Sequence, residues 1–244
     1  MNKYFKDKTV LVTGAGWGIG AATALLYAAY GANVIVSDTS RKEGKKTVAI
    51  IKSRNGTATY IMADVSNEST CEKLIRKTIE TYGSIDIACN NSAIFSDPQY
   101  VAGENMEASD NELGVNLNGL RNCMQYEIEA MQKQGGGIIV NTSFIVGIIG
   151  LASMNQFVEA QYSMAALLLN TPGQYPARGI HINTIAPAFI KTALLNSVIQ
   201  SPKKGKIKSS PKGRRRMVQE VAGLVLWLSS DELHLLPTVC NDNN

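Results

Sequence analysis

Short apolar segments rich in β-branched residues recur along the chain, and segments with a helical pattern separate them. Strands of parallel sheets have this continuous apolar character because helices cover both faces of the sheet. With right-handed crossovers, the order predicts an α/β fold in which residues 1–244 form a single domain around a doubly wound parallel sheet. The six predicted strands are Lys8–Thr13, Ala32–Asp38, Thr57–Ala63, Ile85–Asn90, Gly137–Thr142 and Gly179–Ile185.

The segments between these strands favour helices, and the first of them is rich in alanine and leucine. Pro172 and Gly173 are expected to end the helix that starts near Phe157, because proline lacks an N–H group and clashes with the preceding turn. The predicted helices are Gly18–Tyr30, Arg41–Arg54, Glu68–Tyr82, Asp110–Gln134, a helix from about Phe157, and Val218–Ser229.

The composition excludes several classes of protein. Of the 244 residues, 45% are hydrophobic and 18% are charged, which is typical of globular proteins. No apolar run has the length of a membrane span, and the first residues lack the apolar stretch of a secretory signal, so we expect a cytoplasmic protein without a membrane partner. The cysteines have no metal-ligand spacing, so we expect free, mostly buried thiols and no metal site. They are Cys71, Cys89, Cys123 and Cys240.

One segment carries a dense positive charge. Eight of the 24 basic residues lie within residues 203–216, among serine, proline and glycine, so residues 200–216 are expected to form a mobile loop. The segment has no aromatic side chain for base stacking, which argues against nucleic acid as a partner. A solvated loop is the simplest interpretation, and a scaffold or anion-binding surface is the alternative.

The sequence TGAGWGIG follows the first predicted strand directly and opens the first helix. Glycines allow the backbone to turn tightly and approach a pyrophosphate, while the helix N-terminus offers free N–H groups and a positive dipole end. This context predicts a dinucleotide site in a Rossmann-type sheet. The expected contacts are Thr13, Gly14, Gly16, Trp17, Gly18, Ile19 and Gly20.

Asp38 ends the second predicted strand. A carboxylate at this position can accept hydrogen bonds from both ribose hydroxyls of adenosine, and it repels a 2′-phosphate. Trp17 in the loop is not basic, so NAD(H) is expected in preference to NADP(H), although Arg41 and Lys42 lie close by. The alternative role for Asp38 is that of a helix N-cap.

In this order the motifs resemble those of the short-chain dehydrogenase/reductase family, over roughly residues 6–231. The glycine loop matches the family's TGxxxGxG, the segment NNSA resembles its NNAG, and IAPAFIKT resembles the segment beside its nicotinamide. Asn116 matches the asparagine that anchors a water in the family's proton relay. The resemblance implies an oxidoreductase with further cofactor contacts at Asp64, Val65, Asn90, Pro187, Ile190 and Thr192.

The family's catalytic serine, tyrosine and lysine are not matched. Its pattern N-x-S-S-x-x-G aligns with NTSFIVG, which places Phe144 at the position of the catalytic serine. Continuing without a gap, Phe157 stands for the tyrosine and Gln161 for the lysine, four residues apart on one helix face. The resemblance therefore implies a nucleotide-binding family member of the pseudoenzyme kind, with impaired or absent hydride transfer.

Other interpretations stay open. A register in which Tyr162 is the acid needs a five-residue deletion later in the helix, and it puts Ala166 at the lysine position. An active NAD-dependent oxidoreductase would then relay protons through Tyr162, Asn116 and Ser143, on a substrate that the motifs do not identify. The resemblance implies a homodimer or homotetramer, but the interrupted helix and a short or missing seventh strand put both interfaces in doubt.

Overall fold

Six parallel strands form one sheet in the computed structural model, which describes residues 4–97, 100–149, 154–188, 190 and 216–230. The strands are β1 (Thr9–Val12), β2 (Asn33–Ser37), β3 (Thr57–Ile61), β4 (Ile87–Asn90), β5 (Gly137–Thr142) and β6 (Ile180–Ile185). Their spatial order is β3-β2-β1-β4-β5-β6. The predicted single-domain, doubly wound fold is confirmed. The predicted short or missing seventh strand concerns residues after 230, which lie outside the described residues.

The order of strands reverses beside β1, which pairs with β2 on one side and β4 on the other. Val10 is in register with Val34 of β2 and with Ile87 of β4. All four residues of β1 are buried, as expected for a strand covered on both faces. In open sheets of this kind, ligands bind at the carboxyl ends of the strands near such a reversal.

The helices cover the two faces of this sheet. Helices Gly18–Ala29 and Val218–Trp227 pack against one face of the sheet in one apolar layer, and helices Glu68–Tyr82 and Gly119–Gln134 pack against the opposite face in another. Within the described residues, none of these helices is both apolar enough and long enough to span a bilayer. The helices are α1 (Gly18–Ala29), α2 (Arg41–Ser53), α3 (Glu68–Tyr82), α4 (Met106–Leu113), α5 (Gly119–Gln134), α6 (Val146–Ile149), α7 (Asn155–Asn170) and α8 (Val218–Trp227).

Two helix boundaries test the sequence predictions directly. The single helix predicted from Asp110 begins instead at Met106, because Asn105 caps it by accepting from the backbone N–H groups of Glu107 and Ala108 at 3.0 and 3.3 Å. A π-helical turn, Gly114–Asn118, then separates α4 from α5. The expected end of α7 before Pro172 is confirmed, since the helix ends at Asn170.

Candidate functional site

A cavity of about 750 Å³ opens at the carboxyl ends of β1, β2, β4 and β5. Its walls come from the glycine-rich loop, the turn after β2, the loop after β4 and the N-terminal part of α7. Among the described residues, no group of three His, Cys, Asp or Glu side chains could hold a metal ion. The described lining of the cavity consists of glycines, a few polar groups, and apolar and aromatic side chains.

The glycine-rich loop forms one wall of the cavity, and hydrogen bonds to the segment after β4 fix its position. Gly14 has φ of +60°, a conformation that favours glycine, and a Cβ on Gly20 would lie 2.2 Å from the carbonyl oxygen of Gly14. The Thr13 hydroxyl accepts from the backbone N–H groups of Asn91 and Ser92 at 3.0 and 3.2 Å. This ties the loop to the end of β4. The loop residues that reach the cavity are Gly14, Trp17, Gly18 and Ile19, whereas Thr13, Gly16 and Gly20 support them.

Asp38 lies at the end of the same wall with its carboxylate fixed by the backbone. Its Oδ2 accepts from Gly16 N–H at 2.9 Å, and its Oδ1 accepts from Ser40 N–H at 2.8 Å. Ser40, not Asp38, caps α2, because its hydroxyl accepts from the N–H of Glu43. The side chain lines the cavity, and each carboxylate oxygen keeps a lone pair for a further donor.

The remaining predicted cofactor residues divide into three groups. Asp64 and Val65 line the cavity after β3, and Pro187 and Ile190 line it from the segment after β6. Thr192 lies outside the described residues, as does the basic segment up to residue 215. The third group is Asn90, which does not line the cavity. Asn116, predicted for the proton relay and not for the cofactor, does not line it either.

Asn116 holds the loop after β4 in place, and Asn90 ties the end of β4 to α5 and β5. Asn116 pairs with the backbone of Ile94 in both directions: its Oδ1 accepts at 2.8 Å and its Nδ2 donates at 3.0 Å. Asn90 is buried and donates from Nδ2 to Glu127 Oε2 at 2.9 Å and to Asn141 Oδ1 at 3.0 Å. Their carboxamides therefore position the cavity wall and make no part of its surface.

Phenylalanine rings form the inner end of the cavity. Phe157 packs edge-on against Phe95 and Phe144, with ring centroids 5.4 and 5.8 Å apart. Val146 and Met154 complete the buried apolar cluster around them. Phenyl rings carry no exchangeable proton, so these side chains can exclude water and pack against a ligand but cannot give it a proton.

Gln161 and Ser143 provide the polar groups beside these rings. The Ser143 hydroxyl donates to Gln161 Oε1 at 3.0 Å, and both side chains are buried in the cavity wall. Gln161 follows Phe157 by four residues on α7, so the two share a helix face. The structure thus brings together Phe144, Phe157 and Gln161, three positions that lie up to 17 residues apart in the sequence.

Tyr162 lies elsewhere. Its side chain is 49% exposed, and its hydroxyl donates to the carbonyl oxygen of Ile148 on α6 at 3.0 Å. It is not part of the cavity wall. The alternative register, in which Tyr162 faces a substrate, therefore receives no support from its position.

Sequence patterns did not reveal several residues that shape the site. Glu127 on α5 is fully buried, and burial raises its pKa to about 7 against the opposing effect of its hydrogen bond with Asn90. Met124 and Met131, three and four residues away, lie on the same helix face as Glu127 and are apolar. This pattern could have indicated that the Glu127 carboxyl group is buried. Also unpredicted in the cavity wall are Phe95, Asn111, Val115 and Met154.

Comparisons with known proteins agree with this architecture. A sequence model of the family described as enoyl-(acyl carrier protein) reductase matches residues 14–236. The chain belongs to the short-chain dehydrogenase/reductase family. The predicted membership is thereby confirmed, and with it an origin among oxidoreductases.

Individual family members cover nearly the whole chain. Cyclohexanol dehydrogenase of Acinetobacter sp. is 33% identical over 232 residues, which are 95% of this chain and 91% of that protein. The 2,5-dichloro-2,5-cyclohexadiene-1,4-diol dehydrogenase of Sphingobium indicum is 31% identical over 239 residues, covering 96% and 94%. The crystal structure of levodione reductase superposes with a TM-score of 0.90 at 29% identity, covering 95% of this chain and 94% of that one.

Proposed function

We propose that the protein binds NAD(H) in this cavity and transfers hydride slowly or not at all. The observation that carries the proposal is the contrast between the two ends of the cavity. One end has the glycine-rich loop and the fixed carboxylate of Asp38, and the other has the phenyl rings of Phe144 and Phe157. The sequence pattern predicts that these two rings replace the family's serine and tyrosine. When bound, NAD(H) supplies or accepts a hydride at its nicotinamide ring.

The residues present fit a dinucleotide. A Cβ at Gly20 would collide with the loop backbone, so the loop keeps a close turn against which a pyrophosphate can lie. Asp38 has unused lone pairs for the ribose hydroxyls, and a carboxylate held by two backbone N–H groups cannot move away from a 2′-phosphate. These features favour NAD(H) over NADP(H).

Proton transfer is the step that this chain performs poorly. Reduction of a carbonyl needs a proton at the oxygen as well as a hydride at the carbon, and general acid catalysis is typically worth about 10²–10⁴-fold. Phe144 and Phe157 have no proton to give, and Gln161 has no charge to stabilise a phenolate. The Ser143 hydroxyl already donates to Gln161. Among the described residues that line the cavity there is no tyrosine, histidine, lysine or cysteine.

The ligand class that fits the inner end is a neutral six-membered carbocycle. Phe95, Phe144 and Phe157 present an apolar surface that would leave the hydroxyls of a polyol unpaired, at a cost of about 1–3 kcal/mol for each buried group. Ring compounds of this class are named as substrates of the Acinetobacter and Sphingobium relatives. An uncharged ring therefore matches both the wall and the family context.

Calorimetry of NADH binding tests the nucleotide site. We expect saturable binding, and Asp38→Ala should raise the Kd at least about tenfold, because hydrogen bonds to a charged group contribute about 1.5–3 kcal/mol. Asp38→Asn should narrow the preference for NADH over NADPH, since it removes the charge and keeps the size. Glu80→Gln, an exposed carboxyl change on α3, is the matched control and should leave the Kd unchanged. Absence of any heat at millimolar NADH would disprove the proposal.

Ligand-observed NMR with NADH-saturated protein tests the ligand class. Cyclohexanone should receive magnetisation from aromatic protons, and xylitol should receive none. Phe95→Ser should weaken the cyclohexanone signal and leave the NADH Kd unchanged, because Phe95 packs at the ring end and not against the glycine loop. Equal signals from the ketone and the polyol would show that the phenyl rings do not select the ligand.

A further inference from the structure

We propose that Cys71 and Cys123 are a modification site: an oxidant of the disulfide or diazene class joins them in a reversible disulfide, and this bond changes nucleotide binding. Cys71 lies on α3 and Cys123 on α5. The coupling to nucleotide rests on the proposed function, whereas formation of the disulfide does not.

The two sulfur atoms are already close. Their separation is 3.8 Å, and both residues are buried in one small cluster with Val65. A disulfide needs about 2.05 Å between the sulfurs, so closure requires a movement of less than about 2 Å between two helices that pack together. Cys89, the other cysteine in the described part of the chain, lies instead against the hydroxyl of Tyr27.

The chemistry balances with one oxidant molecule. The first thiolate adds to the oxidant, the second displaces it, and the two thiols together lose two electrons and two protons as one S–S bond forms. With diamide as the oxidant, its N=N bond takes up both electrons and both protons and becomes a hydrazine. A hydrogen bond with Cys71 and burial raise the pKa of Cys123, so the reaction should accelerate as the pH rises.

The cysteine pair contacts a wall of the cavity. The Cys71 thiol donates to the carbonyl oxygen of Val65 at 3.3 Å, a bond that is lost when the sulfur is oxidised. Asn122 of α5 donates to the same oxygen at 3.0 Å. A Cβ on Gly119 would lie 2.5 Å from Cγ2 of Val65, so the α5 backbone abuts this side chain. Drawing α3 and α5 together therefore displaces Val65, which lines the cavity.

Peptide mapping tests the disulfide itself. The full chain carrying Cys240→Ser is treated with diamide under native conditions, digested without reduction and examined by mass spectrometry. We expect a linked Cys71–Cys123 peptide that dithiothreitol removes and that forms faster at pH 9 than at pH 7. Cys89→Ser should leave the link intact, and Cys71→Ser or Cys123→Ser should abolish it. Failure of the folded protein to form this link overturns the proposal.

Calorimetry on the reduced and oxidised proteins tests the coupling. Oxidation should change the NADH Kd about fivefold or more, and NADH should shift the thiol–disulfide equilibrium in a glutathione buffer by the same factor. A linked protein with an unchanged Kd overturns the coupling. If neither form binds NADH, the proposed nucleotide function and the coupling both fail, and peptide mapping still decides the fate of the disulfide.

Discussion

The variant carrying Phe144→Ser, Phe157→Tyr and Gln161→Lys is expected to reduce cyclohexanone with NADH at least about 100-fold faster than the unmodified chain. The triple change restores a hydroxyl that can orient the carbonyl, a phenol that can protonate it, and a cation four residues along the same helix face. The cation favours the phenolate, which lowers the pKa of the introduced tyrosine. The backbone needs little rearrangement, because the three positions already meet at the cavity.

Steady-state consumption of NADH, followed by its absorbance, measures this gain. Single revertants should recover much less than the triple variant, because groups that act as one unit are not additive. Tyr162→Phe is the matched control and should leave the rate of the triple variant unchanged, since that hydroxyl donates to Ile148 on α6 and Tyr162 does not line the cavity. Rapid turnover by the unmodified chain, or its loss on Tyr162→Phe, would show that the chain uses another proton donor.

Much of the fold could be predicted because each strand carries its own signal. A strand such as β1, buried along its whole length, is apolar at every position and needs no knowledge of its neighbours. The start of α4 was missed because it depends on one capping side chain, Asn105, in a segment without strong periodicity. The π-helical turn before α5 was also missed, because no distinct sequence pattern separates a π-helical turn from an α-helical one.

The nucleotide end of the site was more predictable than its inner end. Gly14 and Asp38 occupy positions fixed by local geometry, a left-handed turn and the end of a strand, so their spacing along the chain is informative. Phe95 and Met154 reach the cavity only because separate loops converge on Phe157. Such contacts depend on how distant segments pack. The contacting residues have no characteristic spacing along the chain from which the contacts could be predicted.

Glu127→Gln is expected to stabilise the folded protein by about 3 kcal/mol at pH 8 and to have little effect at pH 4. Burial raises the pKa of Glu127 to about 7, from an ordinary value near 4.5, so the folded state holds this proton more tightly than the unfolded state. Its Oε1 has no hydrogen-bond partner among the described residues, and Asn90 is the donor to Oε2. Glutamine imitates the protonated carboxyl group at every pH.

The direction of the pH dependence follows from this proton. Below about pH 4.5 the carboxyl group is neutral in both states and costs nothing. As the pH rises towards 7, only the unfolded state releases the proton readily, and the folded protein loses about 1.4 kcal/mol per pH unit until Glu127 ionises. The thiols of Cys89 and Cys123 keep their protons in this window. Burial raises the pKa of Cys89, and a hydrogen bond with Cys71 together with burial raises the pKa of Cys123.

Urea denaturation of both proteins at pH 4, 5, 6, 7 and 8 measures this effect, and the difference between their unfolding free energies isolates Glu127 from every other titrating group. That difference should grow between about pH 4.5 and 7 and then remain constant. Glu129→Gln, two residues along on the exposed face of α5, should show no such growth. Parallel stability curves for the Glu127→Gln variant and the unmodified chain would mean that Glu127 has the same pKa in the folded and the unfolded state. Asn90, which donates to Glu127 Oε2, would then have to stabilise a buried negative charge above about pH 4.5.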